Sequence, residues 1–221
     1  MGANATVGPM LRRLDRVVPE DPPRPDRPEA AAHPMRAVTR QVAFEPGGWT
    51  AERRAKVAAL FDELAPEWHT HRDDPQREAP LADAHERGGI VGGGTCLEVG
   101  SGNGANTAFL AERHDRVIAL DVSFEMLRRA KGMRVQADAG AAPLADGTVD
   151  VAVLVNAFLF PAEMDRVLAP GGLLVWVNTA GDQTPIHLTA DEVEAALPGA
   201  WDGLAAEAGR GTWSVWRRVA P

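Results

Sequence analysis

From residue 95 onward, short apolar runs alternate with stretches of helical periodicity. Five runs have the length and the nearly continuous apolar character of strands buried on both faces of a parallel sheet: 96–100, 116–121, 134–138, 150–156 and 173–178. Helices are expected between them, at about 104–114, 124–131 and 161–168. This alternation predicts an α/β fold with a doubly wound, mostly parallel sheet.

The end of the chain carries the pattern of a β-hairpin. A capping box that begins at Thr189 opens a last helix, which ends at Pro198 and Gly199. Two further strand patterns, 201–208 and 212–219, then flank a Gly-Arg-Gly turn. We therefore expect the sheet to close with an antiparallel hairpin.

The first 94 residues divide into two parts of different composition. Seven of the 17 prolines lie in residues 1–34, which have almost no apolar periodicity, so we predict a disordered tail there. Residues 35–94 are expected to form a helical cap or lid, with an amphipathic helix over about 51–65 and a weaker one over about 80–87. Residues 95–221 form the predicted core.

Composition limits the kinds of molecule that the protein is expected to bind. The chain of 221 residues carries 23 Lys and Arg against 31 Asp and Glu, a net charge of −8, and its basic residues are scattered. We therefore expect no nucleic-acid partner. No apolar stretch reaches the roughly 18 residues of a membrane helix, so no membrane partner is expected. The single cysteine, Cys96, cannot form an intramolecular disulfide, and the first residues lack a secretory signal, so a cytoplasmic location is expected.

Candidate chemistry centres on the segment Leu97-Glu-Val-Gly-Ser-Gly-Asn-Gly104, placed where a buried strand turns into a helix. Glycines at such a turn let the backbone approach a ligand, with helix N-terminal amides directed at it. Seventeen residues after Gly104 the next strand ends in Asp121. An acidic side chain in that position can accept hydrogen bonds from both hydroxyls of a ribose.

Two cofactors fit this arrangement. As G-x-G-x-x-A, residues Gly100, Gly102 and Ala105 match a dinucleotide fingerprint, which indicates hydride transfer with NAD. As E-x-G-x-G-x-G, the segment resembles motif I of the class I S-adenosylmethionine-dependent methyltransferases. The carboxylate of Glu98 is unsuited to a pyrophosphate but suits the cationic methionine end of S-adenosylmethionine. This favours the second interpretation.

The resemblance to these methyltransferases extends over residues 95–178. It includes the segments 121–127, 137–150 and 166–174. The segment from Phe61 to His69 is similar to the one preceding motif I in the small-molecule methyltransferases of ubiquinone and menaquinone biosynthesis. The resemblance implies a seven-stranded, Rossmann-like sheet with S-adenosylmethionine as cofactor and a small molecule as methyl acceptor. An NAD-dependent oxidoreductase and a catalytically silent cofactor-binding module remain the alternatives.

Carried over position by position, the resemblance implies cofactor contacts from the methionine end to the adenine. The residues are Glu98, Gly100, Ser101, Gly102 and Gly104 around the methionine moiety, Asp121 on the ribose, Val122, Met126, Asp138 and Ala139 around the adenine, and Asn156 at the junction with the acceptor. Two of these have a purely structural alternative. Asp138 can be a helix or turn cap, and Asn156 can be a hydrogen-bonded turn residue.

The candidate acceptor and catalytic residues lie around the same strand ends. In the similar enzymes a tyrosine usually covers the cofactor, and here that tyrosine is either replaced by Trp68 or shifted. Phe158 either lines an apolar acceptor pocket or packs against a helix. Because the chain has no tyrosine, His69 and His187 are the candidate bases, with an exposed loop histidine as the alternative for His187. The acceptor site is expected over the fourth and fifth strands, with residues 64–71 as its lid.

Two other functions are not favoured. His69-Thr-His71-Arg-Asp73 matches the start of a dinuclear metallohydrolase motif, but no further histidines follow in register, so no metal site is predicted. Asn156 is followed by Ala-Phe-Leu and not by the Pro-Pro-aromatic signature of many enzymes that methylate bases or glutamine. The oligomeric state is not indicated.

Overall fold

The computed structural model describes residues 10–23, 27–68 and 75–219. Within these ranges there is one mixed sheet of eight strands. The strands are β1 (Leu11–Arg13), β2 (Thr95–Val99), β3 (Arg116–Asp121), β4 (Met133–Gln136), β5 (Val149–Val155), β6 (Leu168–Asn178), β7 (Trp201–Ala208) and β8 (Gly211–Arg218).

The described helices are short to medium in length. They are α1 (Pro34–Phe44), α2 (Ala51–Leu64), α3 (Pro75–Arg87), α4 (Thr107–Ala111), α5 (Phe124–Leu127), α6 (Pro161–Val167) and α7 (Ala190–Ala196). Short 3-10 helices lie at Pro28–Ala32, Ala65–Glu67 and Gly181–Gln183. None of the helices in the described part of the chain has the length and apolar character needed to cross a membrane.

The sheet has the order β1-β7-β8-β6-β5-β2-β3-β4. Strand β2 pairs in parallel with both β3 and β5, so the chain runs first to one side of β2 and then to the other. Such a reversal opens a crevice at the carboxyl ends of the central strands. Strand β8 is antiparallel to β6 and β7. The predicted doubly wound sheet and its C-terminal hairpin are confirmed, and β1 adds an eighth strand to the expected seven.

The predicted disorder of residues 1–34 is wrong for the segment around β1. Leu11 to Arg13 pair in parallel with Gly203 to Ala205, and the N–H of Leu14 donates to the Ala205 carbonyl at 2.8 Å. The outer edge of β7 offers unpaired backbone groups, and a short segment can satisfy them whatever its side chains. Composition alone therefore does not reveal this strand.

Helix α1 is absent from the sequence-based prediction, which placed the first ordered helix at about residue 51. The structure begins α1 at Pro34, with the His33 ring accepting a hydrogen bond from the N–H of Met35 at 3.2 Å. Proline is favoured in the first turn of a helix, where its missing N–H costs nothing. The proline that suggested disorder thus marks a helix start.

Apolar side chains bury both faces of the sheet, as the nearly continuous runs predict. Along β6, Leu174 and Trp176 join one core cluster, while Val175 and Val177 join the cluster on the opposite face. A third cluster joins α1 and α2 to the chain that follows β5 and β6, through Val42, Val57, Phe158, Phe160 and Ile186. The first two helices therefore sit above the carboxyl edge of the sheet, where the crevice opens.

Candidate functional site

A cavity of about 750 Å³ lies at the carboxyl edge of the sheet, within the size range of small-molecule sites. The loops that follow four neighbouring strands contribute to its wall: Gly100 after β2, Val122 after β3, Asn156 after β5 and Thr179 after β6. Helix α2 and the turn after it add Phe61, Leu64 and Trp68. The cavity thus occupies the position that the strand order predicts for a ligand.

The glycine loop, residues 100–104, forms one end of this cavity. Gly100, Gly102 and Gly104 have φ values of 64°, 56° and 80°, which L-residues rarely adopt. A Cβ atom on Gly100 would lie only 2.8 Å from Ala157 Cβ. Both the backbone conformation and the packing therefore require glycine at that position.

Ser101 supplies a buried polar atom at the cavity wall. Its side chain is 4% exposed, and its Oγ atom has no hydrogen-bond partner among the described residues. Buried hydroxyls are normally hydrogen-bonded, so an orphaned one that lines a cavity indicates a place for a polar ligand atom. Ser101 thus fits its predicted contact with the methionine end of the cofactor.

Asp121 ends β3 and faces the same cavity. Its Oδ2 atom accepts a hydrogen bond from the N–H of Gly102, and its Oδ1 atom accepts one from the N–H of Ser123, both at 2.8 Å. Burial raises the pKa of this carboxyl despite these bonds. Each carboxylate oxygen keeps a further lone pair, so Asp121 can still accept the two ribose hydroxyls. Val122 and Met126 line the cavity beside it, and their contact with the adenine stays a prediction.

Glu98 lies in β2, two residues before Gly100, and is 1% exposed. Its Oε2 atom accepts a hydrogen bond from Thr107 Oγ1 at 2.5 Å. This bond ties the end of β2 to the start of α4. A contact between Glu98 and the methionine end of the cofactor stays a prediction.

Asp138 holds the N-terminal helical region against the core. Its Oδ1 atom accepts hydrogen bonds from Trp49 Nε1 and from the N–H of Gly140, both at 2.8 Å. Arg54 donates to Oδ2 at 2.9 Å. The bond from Gly140 is the turn cap that the sequence left as an alternative. The adenine contact of Asp138 stays a prediction, while its neighbour Ala139 lines the cavity.

Asn156 has φ 52° and joins the ends of β5 and β6. Its Nδ2 atom donates to Thr179 Oγ1 at 2.8 Å, and its Oδ1 atom accepts from the N–H of Thr179 at 2.9 Å. Asn156 is therefore a hydrogen-bonded turn residue, and it also lines the cavity. The two interpretations left open by the sequence are compatible.

Aromatic side chains form much of the remaining wall. Trp49 packs against Phe158 and Phe160, with ring centroids 5.5 and 5.3 Å apart. Phe158 both lines the cavity and belongs to the third core cluster, so its two proposed roles coincide. Trp68 also lines the cavity.

The geometry around His187 weighs against its predicted role as a general base. Arg36 Nη1 lies 3.3 Å from His187 Nδ1, and because a guanidinium only donates, Nδ1 must accept. The neutral ring then carries its proton on Nε2 and has no free lone pair. Burial, and then the charge of Arg36, lower the pKa of His187 to about 4. His69 and His71 lie outside the described residues.

Several residues of the site carry little signal in the sequence. Trp49, Thr107 and Thr179 meet Asp138, Glu98 and Asn156 only through the tertiary structure. The described residues contain no group of three or more His, Cys, Asp or Glu side chains able to hold a metal ion.

Comparison with known proteins identifies the family of this chain. A methyltransferase domain family matches residues 97–176. Malonyl-[acyl-carrier protein] O-methyltransferase of Pseudescherichia vulneris is 30% identical over 174 residues, which span 73% of this chain and 68% of that protein. The chain belongs to the class I S-adenosylmethionine-dependent methyltransferases. This membership confirms the family and the cofactor inferred from the motifs, and it decides between the two cofactors that the glycine pattern allowed.

Other relatives of this methyltransferase match over a smaller share of their length. Demethylmenaquinone methyltransferase of Renibacterium salmoninarum is 35% identical over 143 residues, 56% of this chain. The chain spans 59% of that protein and 55% of a malonyl-[acyl-carrier protein] O-methyltransferase of Enterobacter lignolyticus.

Solved structures show the same fold. The DhpI–SAH complex has a TM-score of 0.59 at 21% identity and covers 76% of this chain and 97% of its own. A methyltransferase of Haloferax volcanii, solved with the Trm112 activator, has a TM-score of 0.61 at 16% identity over 75% of this chain and 98% of its own. At these identities the likeness establishes the fold of the methyltransferase and nothing further.

Proposed function

We propose that this protein transfers the methyl group of S-adenosylmethionine to a small-molecule acceptor bound in the same cavity. The observation that carries this proposal is that the predicted cofactor residues and a set of apolar side chains line one cavity. The glycine loop and Asp121 line the same cavity as the apolar side chains of Trp49, Phe158 and Ile186. A site with polar groups at one end and apolar walls at the other suits a small organic molecule beside the cofactor.

The chain's own residues would bind and orient the two reactants. Asp121 would hold the ribose, Val122 and Met126 would pack near the adenine, and Ser101 with the glycine loop would hold the methionine end. When bound, the cofactor supplies a reactive methyl group on a positively charged sulfur. The protein would align the acceptor with that methyl group and exclude water, which accounts for most of the expected acceleration.

A protein base is needed only if the acceptor must lose a proton before transfer. Since His187 has no free lone pair in this structure, it does not fit that role. His69 follows Trp68 directly in the sequence and is the remaining predicted base. An acceptor that already carries a lone pair or a negative charge would need neither histidine.

The relatives support an acceptor that is either a small molecule or a small group attached to a carrier protein. Their names give demethylmenaquinone and the malonyl group of an acyl-carrier protein as their acceptors. The net charge of −8 with scattered basic residues argues against nucleic acid as the acceptor. We propose that the enzyme acts in the cytoplasm, because its one cysteine is buried and cannot form an intramolecular disulfide.

Thermal unfolding with S-adenosylhomocysteine and with NAD tests the cofactor first. A ligand at 100 times its dissociation constant adds about 2.7 kcal/mol to the unfolding free energy. We expect this for S-adenosylhomocysteine only, and stabilisation by NAD alone would contradict the proposal. Release of S-adenosylhomocysteine on incubation with demethylmenaquinone or with malonyl-acyl-carrier protein then tests the acceptor class.

A further inference from the structure

Asp62 of α2 contacts the loop between β3 and α5. Its Oδ1 atom accepts hydrogen bonds from Ser123 Oγ at 2.5 Å and from the N–H of Glu125 at 3.0 Å. Asp62 and Ser123 are 61 positions apart in the chain. A carboxylate of the N-terminal helical region therefore holds the loop that follows the cofactor-binding strand.

Ser123 connects Asp62 to Asp121. Its side chain is fully buried, and its backbone N–H donates to Asp121 Oδ1 at 2.8 Å. Its Oγ atom also accepts a hydrogen bond from the N–H of Met126 at 3.1 Å. Because a hydroxyl has a single proton, donation to Asp62 fixes the orientation in which Oγ accepts from Met126. Asp62 thus fixes Ser123, and Ser123 fixes one oxygen of Asp121.

The two carboxylates face Ser123 from different elements. The negative charge of Asp62 raises the pKa of Asp121, although burial is the larger cause. Repulsion between the two carboxylates opposes this arrangement, and Ser123 offsets it by donating one hydrogen bond to each. The other oxygen of Asp121 is held by the N–H of Gly102, so both oxygens have a fixed direction.

We propose that Asp62 is a positioning residue for the cofactor. Through Ser123 it orients the Asp121 carboxylate toward the ribose hydroxyls, so full cofactor affinity requires α2 to be docked. By linkage, cofactor binding stabilises the docked position of α2 to the same extent. The inference rests on the proposed function, specifically on the contact between Asp121 and the ribose.

The dissociation constant of S-adenosylhomocysteine, measured by calorimetry on the full chain, tests this role. Asp62→Ala is expected to weaken binding about tenfold, the loss of roughly 1.4 kcal/mol of interaction. Asp62→Asn should stay within about threefold of wild type, because its amide oxygen can accept both hydrogen bonds. Glu63→Ala removes an exposed carboxylate from the same helix and should leave the constant unchanged.

A double-mutant cycle tests whether Asp62 acts through Ser123. If it does, adding Asp62→Ala to Ser123→Ala should weaken binding by less than about twofold beyond Ser123→Ala alone. Fully additive effects of the two substitutions would overturn the proposal.

The outcomes separate this inference from the proposed function. Wild-type affinity in Asp62→Ala overturns the positioning role while the methyltransferase site stands. Absence of S-adenosylhomocysteine binding in the wild-type chain contradicts the proposed function itself. Should Asp62→Ala fail to fold, Asp62→Glu keeps the charge and displaces the carboxylate by one methylene. We expect it to bind several-fold more weakly, and unchanged affinity would overturn the proposal.

Discussion

The indole of Trp68 lies against the glycine loop at Gly102. Its Nε1 atom is 3.6 Å from the point where a Cβ atom on Gly102 would stand, and Met126 Sδ is 4.0 Å from the same point. Phe61 packs edge-on against Trp68, with ring centroids 5.7 Å apart. This relationship supports the proposed role of Trp68 as the aromatic cover over the cofactor.

Gly102→Ala tests whether the surface of the glycine loop contacts the cofactor. A control variant accounts for the backbone strain that alanine causes at a positive φ. The φ of 56° strains any L-residue, at a cost of about 1 to 2 kcal/mol, and the new methyl group would project between the loop and Trp68. We expect S-adenosylhomocysteine affinity to fall at least tenfold in calorimetry. Gly147→Ala is the matched control, since Gly147 has φ 66° with no atom within 4 Å of an added Cβ. Equal affinity in both variants would show that the loop surface does not contact the cofactor.

Asp121 should make cofactor binding sensitive to acid. Burial raises the pKa of its carboxyl, so the proton returns at a higher pH than for an exposed aspartate. In the proposed site the ionised form would accept the ribose hydroxyls. Affinity for S-adenosylhomocysteine is therefore expected to fall as the pH is lowered, beginning at a higher pH than an exposed aspartate would give. In Asp121→Ala the affinity should be weaker at pH 7 and should change less with pH. Parallel pH profiles for the two proteins would argue against this contact.

The N-terminal segment should contribute to stability. A chain beginning at Met35 lacks β1 and the partly buried side chains of Leu11, Leu14 and Val18, which pack on the two sheet clusters. At about 1 kcal/mol for each partly buried aliphatic side chain, urea unfolding should show a loss of about 3 kcal/mol. A chain beginning at Met10 retains these contacts and serves as the control. If the two truncated chains unfold at the same urea concentration, β1 adds nothing to the fold.

Asp83 should contribute strongly to the unfolding free energy, at a position away from the cavity. The carboxylate is 2% exposed and accepts hydrogen bonds from Trp213 Nε1 at 2.6 Å and from Arg87 Nε at 2.7 Å. Asp83→Ala leaves both donors without their acceptor, and the unfolding free energy should fall by about 3 kcal/mol. Asp83→Asn keeps one acceptor and should lose less. Asp191→Ala, at an exposed ion pair with Arg13, should lose under 1 kcal/mol.

Two histidines that are mostly shielded from solvent should weaken the fold in acid. Burial is the largest cause that lowers the pKa of both His85 and His187 to about 4, whereas an unfolded chain has the ordinary value near 6.5. Between these values the unfolded state binds more protons, so the unfolding free energy falls as the pH drops from 7 to 4, by up to about 3 kcal/mol for each ring. A His85→Gln, His187→Gln double variant should show a shallower fall in urea titrations at pH 7, 5.5 and 4.5. An identical pH dependence of the unfolding free energy in the variant and the wild type would mean that neither ring is shielded from solvent in the folded state.

The central strands and the position of the glycine loop were predictable from local pattern. A strand buried on both faces must be apolar at nearly every position, and the runs that form β2, β3, β5 and β6 show this pattern in the sequence. A turn with φ above zero at Gly100, Gly102 and Gly104 can be recognised because only glycine adopts it without strain. These constraints act on neighbouring residues, so the sequence by itself determined the fold class and the position of the glycine loop.

The contacts between distant segments were decided only by the tertiary structure. Asp62 and Ser123 are 61 positions apart, Trp49 and Asp138 are 89 apart, and Arg36 and His187 are 151 apart. No periodicity links such pairs, because a side-chain hydrogen bond depends on where the backbone brings its two ends. The same holds for β1, which pairs with the free backbone groups of β7 far along the chain. The local pattern thus determined which elements form, while the packing of α1, α2 and the N-terminal segment decided what surrounds the site.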